Sequence, residues 1–428
     1  MKELFNNLPF RPADILLPRD CDLSLWSVVA CDQYTSQPEY WQRVEERVAN
    51  NPSTLRMILP ESRLERPEVE QDIVAINNTM SGYLRDNLFE EYTDSMIYVE
   101  RVLHDDKVRR GLMGKVDLEQ YDYTPGSGAM IRATEGTVIS RIPPRVAVRK
   151  NAPIEFPHVM LLADDPERQL LEPLGEQTGE MKLVYDFELM ENGGHIRGWL
   201  LGEKQLIHVA MTMQKMADPK RFNARYNSSD LPVMLFAVGD GNHSLATAKE
   251  CYERAKGMTP PEQWGKLPAR YALVELGNLH DESLEFQPIH RVLKNLDPEQ
   301  LLKDLNNTFE DAYAGAGAGH VLWYAWGGVE GAITIPAPEK QLTVATLQDF
   351  LDGWLKDHPE VAIDYVHGDD VAKMLAKAPN TMAFLLPAMG KEELFPTVVW
   401  DGVLPRKTFS MGEAHDKRFY LEGRRIRL

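Results

Sequence analysis

Within Leu231–Lys256, LPVMLFAVGDGNHSLATAKECYERAK, residues 240–244 bring together a carboxylate, an amide, an imidazole and a hydroxyl. The apolar run Leu231–Val238 predicts a buried strand. The turn formers Gly239-Asp240-Gly241-Asn242 then stop it. From Ser244 onward, Leu245, Ala248, Tyr252 and Ala255 recur at helical spacing, so a helix is expected to begin near Ser244. A strand that passes through a Gly-rich turn into a helix aims backbone N–H groups and a positive dipole end at one point. That point suits a phosphate or another anion. The same residues also make an ordinary Asp-Gly-Asn turn with Ser244 as N-cap, so the motif alone leaves function open.

A second polar cluster is Ile131–Lys150, IRATEGTVISRIPPRVAVRK. Glu135 precedes Arg141, Arg145 and Arg149 there. An acid beside arginines can act as a general base where anions bind, because guanidinium groups neutralise phosphate or carboxylate, often bidentately. A salt-bridged, solvated surface fits the same composition. The C-terminal run Asp401–Leu421, DGVLPRKTFSMGEAHDKRFYL, offers Lys407 and Thr408 as anion ligands, though Lys407 fits a surface ion pair equally well. His158, His195, His208 and His320 have no partner at metal-ligand spacing and read as hydrogen-bonded structural residues. His-Glu-x-x-His and Gly-x-Ser-x-Gly are absent, which removes support for a zinc hydrolase or an α/β-hydrolase.

These residues resemble the domain-of-unknown-function 1015 family. Asp240–Ser244 is similar to its Asp-Gly-His-His-Arg loop, shared with free serine kinases of the partition-protein/sulfiredoxin superfamily. Thr134-Glu135-Gly136-Thr137 resembles its His-Glu-x-Thr element, and Arg145 matches an arginine ten residues after the Glu. Asp281, Pro288, His290 and Arg291 resemble its Pro-x-His-Arg element, and Lys407-Thr408 its terminal Lys-Ser/Thr pair. The N-terminal RPADILLP and NPSTLRMILPE fit as well, so the resemblance covers nearly the whole chain.

The resemblance implies phosphoryl transfer from ATP or ADP, with Mg²⁺, to a hydroxyl metabolite such as serine. Glu135 would accept the hydroxyl proton, with Asp240 and His243 as its catalytic companions. Gly241, Asn242 and Ser244 would hold phosphates, while Asp240 orients the loop or contacts Mg²⁺. Three positions depart from the family: Asn242 and Thr134 replace histidines, and Ser244 replaces the closing arginine. Losing that arginine removes a permanent charge and a bidentate donor. Arg141, Arg145, Arg149 and Arg291 are the candidates to compensate. Such a mechanism requires Glu135 and the 240–244 loop to share a cleft, their groups roughly 5–10 Å apart. The changed loop also fits a nucleotide- or metabolite-binding protein without catalysis.

The elements that must position this chemistry read as an α/β to α+β fold with mixed sheets and a partition-protein/sulfiredoxin-like centre. Helices are expected at Pro38–Asn50 and Pro67–Leu88, and a strand pair at Met96–Leu103 and Arg109–Val116. Strands at Val321–Trp326, Ala332–Ile335, Ala362–Val366 and Met382–Leu386 alternate with helices at Thr343–Lys356 and Asp369–Lys377, a second α/β unit. The regions expected are 1–115, 116–310 and 311–428, with a boundary inside Asn306–Gly319. The Gly-rich Ala314–Gly319 reads as a flexible connection, since it lacks the Gly-Lys-Ser/Thr ending of a P-loop.

At 428 residues with 43% hydrophobic composition the chain can bury large cores. Its 47 basic and 65 acidic residues give a formal charge of −18, which opposes nucleic-acid backbones and so a DNA-binding, partition-like role. Three scattered cysteines form neither a disulfide framework nor a Cys-x-x-Cys zinc site. With no signal-peptide pattern and no apolar run of membrane length, a cytoplasmic protein acting on small molecules is expected.

Overall fold

The computed structural model describes residues 2–35, 37–64, 66–137 and 142–427. It is a mixed α/β protein in which the chain forms two units, Met1–Leu284 with Glu413–Leu428, and Glu285–Gly412.

In the first unit, helix Pro38–Val48 opens with a proline and turns Tyr40, Trp41, Val44 and Val48 inward. Helix Val69–Arg85 follows the periodicity of Ile76 and Met80, its two buried positions. Strands Ile97–Val102 and Val108–Asp117 pair antiparallel around the 103–107 turn. They belong to a sheet with the order 182–188, 195–200, 97–102, 108–117, 271–278, 160–163, 236–240, 131–132, 121–122. Antiparallel ladders dominate one side of it. The 236–240 strand runs antiparallel to 160–163 and parallel to 131–132.

The Leu231–Val238 run enters that sheet late. Pro232 carries no N–H for a ladder, and regular pairing begins only at Phe236. The strand then passes Gly239 through a register shift, so Asp240 still pairs with Met160. The helix follows at Asn242, two residues before Ser244.

The second unit is an antiparallel sheet in the order 313–314, 329–335, 320–326, 381–385, 286–294, 362–367. Helices Pro298–Thr308, Thr343–Asp357, Asp369–Leu375 and Lys391–Asp401 accompany it. Ala314–Gly319 lies inside this sheet rather than between units. Gly315 N–H donates to Ala332 O at 2.8 Å, and Gly319 takes φ +119°, open to glycine but not to side chains. The boundary therefore falls at 284/285, ahead of the strand 286–294 that anchors the second sheet, and not within Asn306–Gly319. The last sixteen residues, 413–428, leave the expected 311–428 region and join the first unit.

No helix among the described residues is long and apolar enough to cross a membrane.

Candidate functional site

The joint between strand 236–240 and helix Asn242–Gly257 is a single left-handed residue. Gly241 has φ +82° and ψ +29°, and a Cβ there would lie 3.1 Å from Val159 Cα. Glycine is favoured on both counts. Leu245 N–H donates to Gly241 O at 3.0 Å as the first intrahelical bond. The N–H groups of Asn242, His243 and Ser244 therefore point out of the N-terminus, as in any first helical turn. Asp240 Oδ1 accepts the Gly241 N–H at 2.9 Å and so braces the turn.

Two of the departures from the family pattern touch each other. Thr134 N–H donates to Asn242 Oδ1 at 3.2 Å, and Asn242 Nδ2 donates to Thr134 Oγ1 at 3.2 Å. Thr134 Oγ1–H donates onward to Val238 O at 2.6 Å. Both residues are buried, so the amide and hydroxyl replace water with one another. The clasp ties Thr134 to the first residue of the loop helix, and Glu135, next in sequence, is half-buried.

The charge at this mouth comes from distant segments. Lys417 Nζ stands 3.1 Å from Asp240 Oδ2, with both side chains mostly covered. Lys417 is held by its neighbours: Arg418 is buried between Glu275 Oε2 at 2.8 Å and Glu422 Oε2 at 2.5 Å. Arg101 Nη1 also donates to Lys417 O at 2.6 Å. His158 flanks the glycine, and its Nδ1 meets Tyr420 Oη at 2.8 Å. Tyr420 Oη accepts the Cys31 N–H at 3.1 Å. Beside it, burial opposes the charge of Asp32, yet the His158 imidazole, the Gln33 amide and the Lys417 ammonium hold its carboxyl below the ordinary range. Burial and the Asp32 charge push the Cys31 thiol up to about 12, so it is no nucleophile at neutral pH. The arrangement gathers a helix N-terminus, an ammonium and two carboxylates.

A family model described as "Protein of unknown function (DUF1015)" matches residues 9–384. The chain belongs to the DUF1015 family. No curated protein matches it significantly. Among solved structures it is similar to a free serine kinase mutant in complex with AMP, at 12% identity over 74% of this chain and 92% of that one, with a TM-score of 0.39. It is also similar to a conserved hypothetical protein from Pyrococcus furiosus, at 13% identity over 73% and 94%, TM-score 0.35. SbnI from Staphylococcus aureus, with a C-terminal truncation, is similar at 8% identity over 70% and 82%, TM-score 0.36. Likenesses this distant say nothing of what this chain binds.

The other family-type residues of this DUF1015 chain fall into separate places. His243 and Ser244 are half-buried in the first turn of the loop helix. Arg141 lies outside the described residues. Arg145 sits on helix Ile142–Arg149, which packs Ile142 and Val146 on Ala246 of the loop helix, and it pairs with Glu61. Its charge reaches Cys31. Arg149 is committed to Glu155, which also binds Arg424 at 2.7 Å. Arg291 is buried in the second unit, donating to Gln348 and to the carbonyls of Ile289, Lys407 and Arg406. His290 is buried beside it. Burial lowers its pKa against the pull of Asp369, and its Nδ1 accepts the Leu386 N–H at 3.1 Å. Thr408 Oγ1–H donates to Pro405 O at 2.7 Å. The Pro-x-His-Arg and Lys-Thr elements thus meet one another, with Arg291 holding the turn at Lys407, whose φ is +55°.

Sequence reasoning missed Lys417, Asp32, Tyr420 and the placement of His158. Nothing in their local sequence joins them, since Lys417 sits in the charged run HDKRF and Asp32 beside Gln33, and long-range pairing gathers them.

Proposed function

We propose that the cleft at Gly241 binds the phosphates of an adenine nucleotide, ATP or ADP, and transfers a phosphoryl group to a small hydroxyl metabolite such as serine. The observation that supports this reading is the Thr134–Asn242 clasp, which ties the residue before Glu135 to the first residue of the loop helix. Phosphoryl transfer needs mainly charge neutralisation and positioning. The first-turn N–H groups of Asn242, His243 and Ser244 supply donors, and Lys417 supplies the cation that the family's closing arginine would have given. Arg145 stands behind the cleft on its own helix. Glu135 is the base for the acceptor hydroxyl, and His243 stands in the first turn of the loop helix.

Asp240 is a poor Mg²⁺ ligand as it stands. Its oxygens already serve the Gly241 N–H and the Lys417 ammonium, and an ammonium 3.1 Å away competes for the same lone pairs. Asp240 braces the turn and holds Lys417.

The test is incubation of the full chain with labelled ATP or ADP, with and without Mg²⁺, and a panel of hydroxy metabolites. Label in an acceptor supports the reading, and nucleotide binding without transfer to any acceptor removes the kinase claim. A second reading, nucleotide binding without catalysis, draws support from the committed state of Asn242 and Asp240. It is selected by a nucleotide-induced rise in melting temperature that survives Glu135→Gln while the unmodified chain shows no turnover.

A further inference from the structure

The 103–107 turn and the 414–416 turn bring two imidazoles and a carboxylate to one point. His104 Nδ1 lies 3.0 Å from Asp416 Oδ1 and 2.8 Å from His415 Nε2. His415 Nε2 lies 3.7 Å from Asp416 Oδ2. The ligand atoms all fall within 4.8 Å of one another, and the two rings stand perpendicular at 88°. A single proton on His104 Nδ1 serves at most one of its two neighbours well, so hydrogen bonding leaves this cluster of lone pairs underused. A cation at its centre satisfies all three.

We propose that His104, His415 and Asp416 bind one divalent transition-metal ion of the zinc, cobalt or nickel class. Metal bonds of about 2.0–2.1 Å set neighbouring donors roughly 2.9–3.4 Å apart, the range that the observed separations bracket. Two imidazoles with one carboxylate select borderline transition metals over Mg²⁺ or Ca²⁺, which prefer oxygen ligands. The site is therefore distinct from any ion that arrives with a nucleotide.

The surroundings fit such an ion. Asp416 is buried, and its carbonyl accepts Arg109 Nη1 at 2.7 Å and Arg101 Nη1 at 3.2 Å, which fixes the 414–416 turn before any metal arrives. Glu413 Oε2 stands 3.8 Å from the other nitrogen of His415, the side from which an outer carboxylate steadies a ligating imidazole. His104 and His415 line a groove of about 650 Å³ with Glu188 and Glu191, which gives the ion an entry path and leaves a coordination position open. His415 and Asp416 lie beyond residues 9–384, so the family match does not account for the site.

The experiment titrates the full chain, stripped with a chelator, with Co²⁺, Zn²⁺ and Mg²⁺, reading visible Co²⁺ absorption and melting temperature. One Co²⁺ per chain with ligand-field bands, a rise in melting temperature with Zn²⁺ and none with Mg²⁺ are expected. His104→Ala and His415→Ala should each weaken Zn²⁺ binding at least as much as the roughly 10–100-fold lost with an outer-shell partner. His195→Ala, at a separate imidazole paired with Asp186 and Glu188, should leave it unchanged. His104 is 44% exposed, so its variant keeps the fold even where Asp416→Asn does not. Absence of saturable Co²⁺ binding, or equal affinity in the His104→Ala/His415→Ala double variant, overturns the proposal.

Discussion

Lys417 and Asp240 face one another across the mouth of the loop helix, Nζ to Oδ2 at 3.1 Å. The cation belongs to the C-terminal segment and the acid to the central strand, so neither position announces the other. An ammonium on a flexible stem can keep one donor on Asp240 and turn the others to an incoming phosphate.

Lys417→Met should therefore weaken nucleotide binding while leaving the fold intact. A hydrogen bond to a charged group contributes about 1.5–3 kcal/mol, so a loss of roughly ten- to hundredfold in affinity is expected. Calorimetric titration with ADP checks it. Unchanged affinity would remove Lys417 from the phosphate site.

Glu135→Gln should separate binding from chemistry. The amide keeps the size of the carboxylate but cannot accept a proton, and a positioned base contributes about 10²–10⁴-fold. Transfer of label to the acceptor should fall by that factor, with nucleotide affinity changed little. Equal rates in the two proteins would reassign the base.

Much of this arrangement is readable from the sequence, and the rest is not for a physical reason. Helix Pro38–Val48, the strand pair 97–102 and 108–117, and the elements of the second unit follow local periodicity and turn chemistry closely. The Gly241 joint is legible because glycine is the residue best suited to a left-handed position packed closely on Val159. The unit boundary is not, because it depends on which strand the chain pairs next. Strand 286–294 pairs with 362–367 and 381–385, far ahead in sequence. Lys417 is hidden for the same reason. Its neighbours in the run HDKRF read as a charged surface, whereas Arg418 is one of the most buried side chains, matched by Glu275 and Glu422. Arg291 is the converse case, a residue of anion-binding type whose donors go to carbonyls.

The Thr134–Asn242 clasp should show as energetic coupling. Thr134→Val leaves the Asn242 Nδ2 donor without its acceptor, and Asn242→Ala leaves the Thr134 N–H unmatched, each costing about 1–3 kcal/mol. Because the two losses share one set of bonds, the double variant should be less destabilised than their sum by about 0.5–3 kcal/mol. Urea denaturation of the four proteins measures it. Additivity within experimental error would mean that the clasp does not act as a unit and that Glu135 is positioned by other contacts.

Asp32 supplies a pH signature for the same cleft. Its carboxyl is held below the ordinary range against the cost of burial, by His158, Gln33 and Lys417. A carboxyl with a lowered folded pKa stabilises the fold above its unfolded value of about 3.9, and loses that contribution as pH falls through the folded value. Asp32→Asn carries no such term. The wild-type chain should therefore exceed the variant in unfolding free energy at pH 7, with a gap that stays level down to about pH 5 and closes below about pH 4. Adding Lys417→Met should shrink the gap at pH 7, because one of the charges that favours ionised Asp32 is gone, while the gap set by His158 and Gln33 remains. Urea denaturation of the three proteins across this range decides the matter. A gap independent of pH from 7 to 3 would show that Asp32 acts through packing or neutral hydrogen bonds, and that the cleft does not gather charge as its geometry implies.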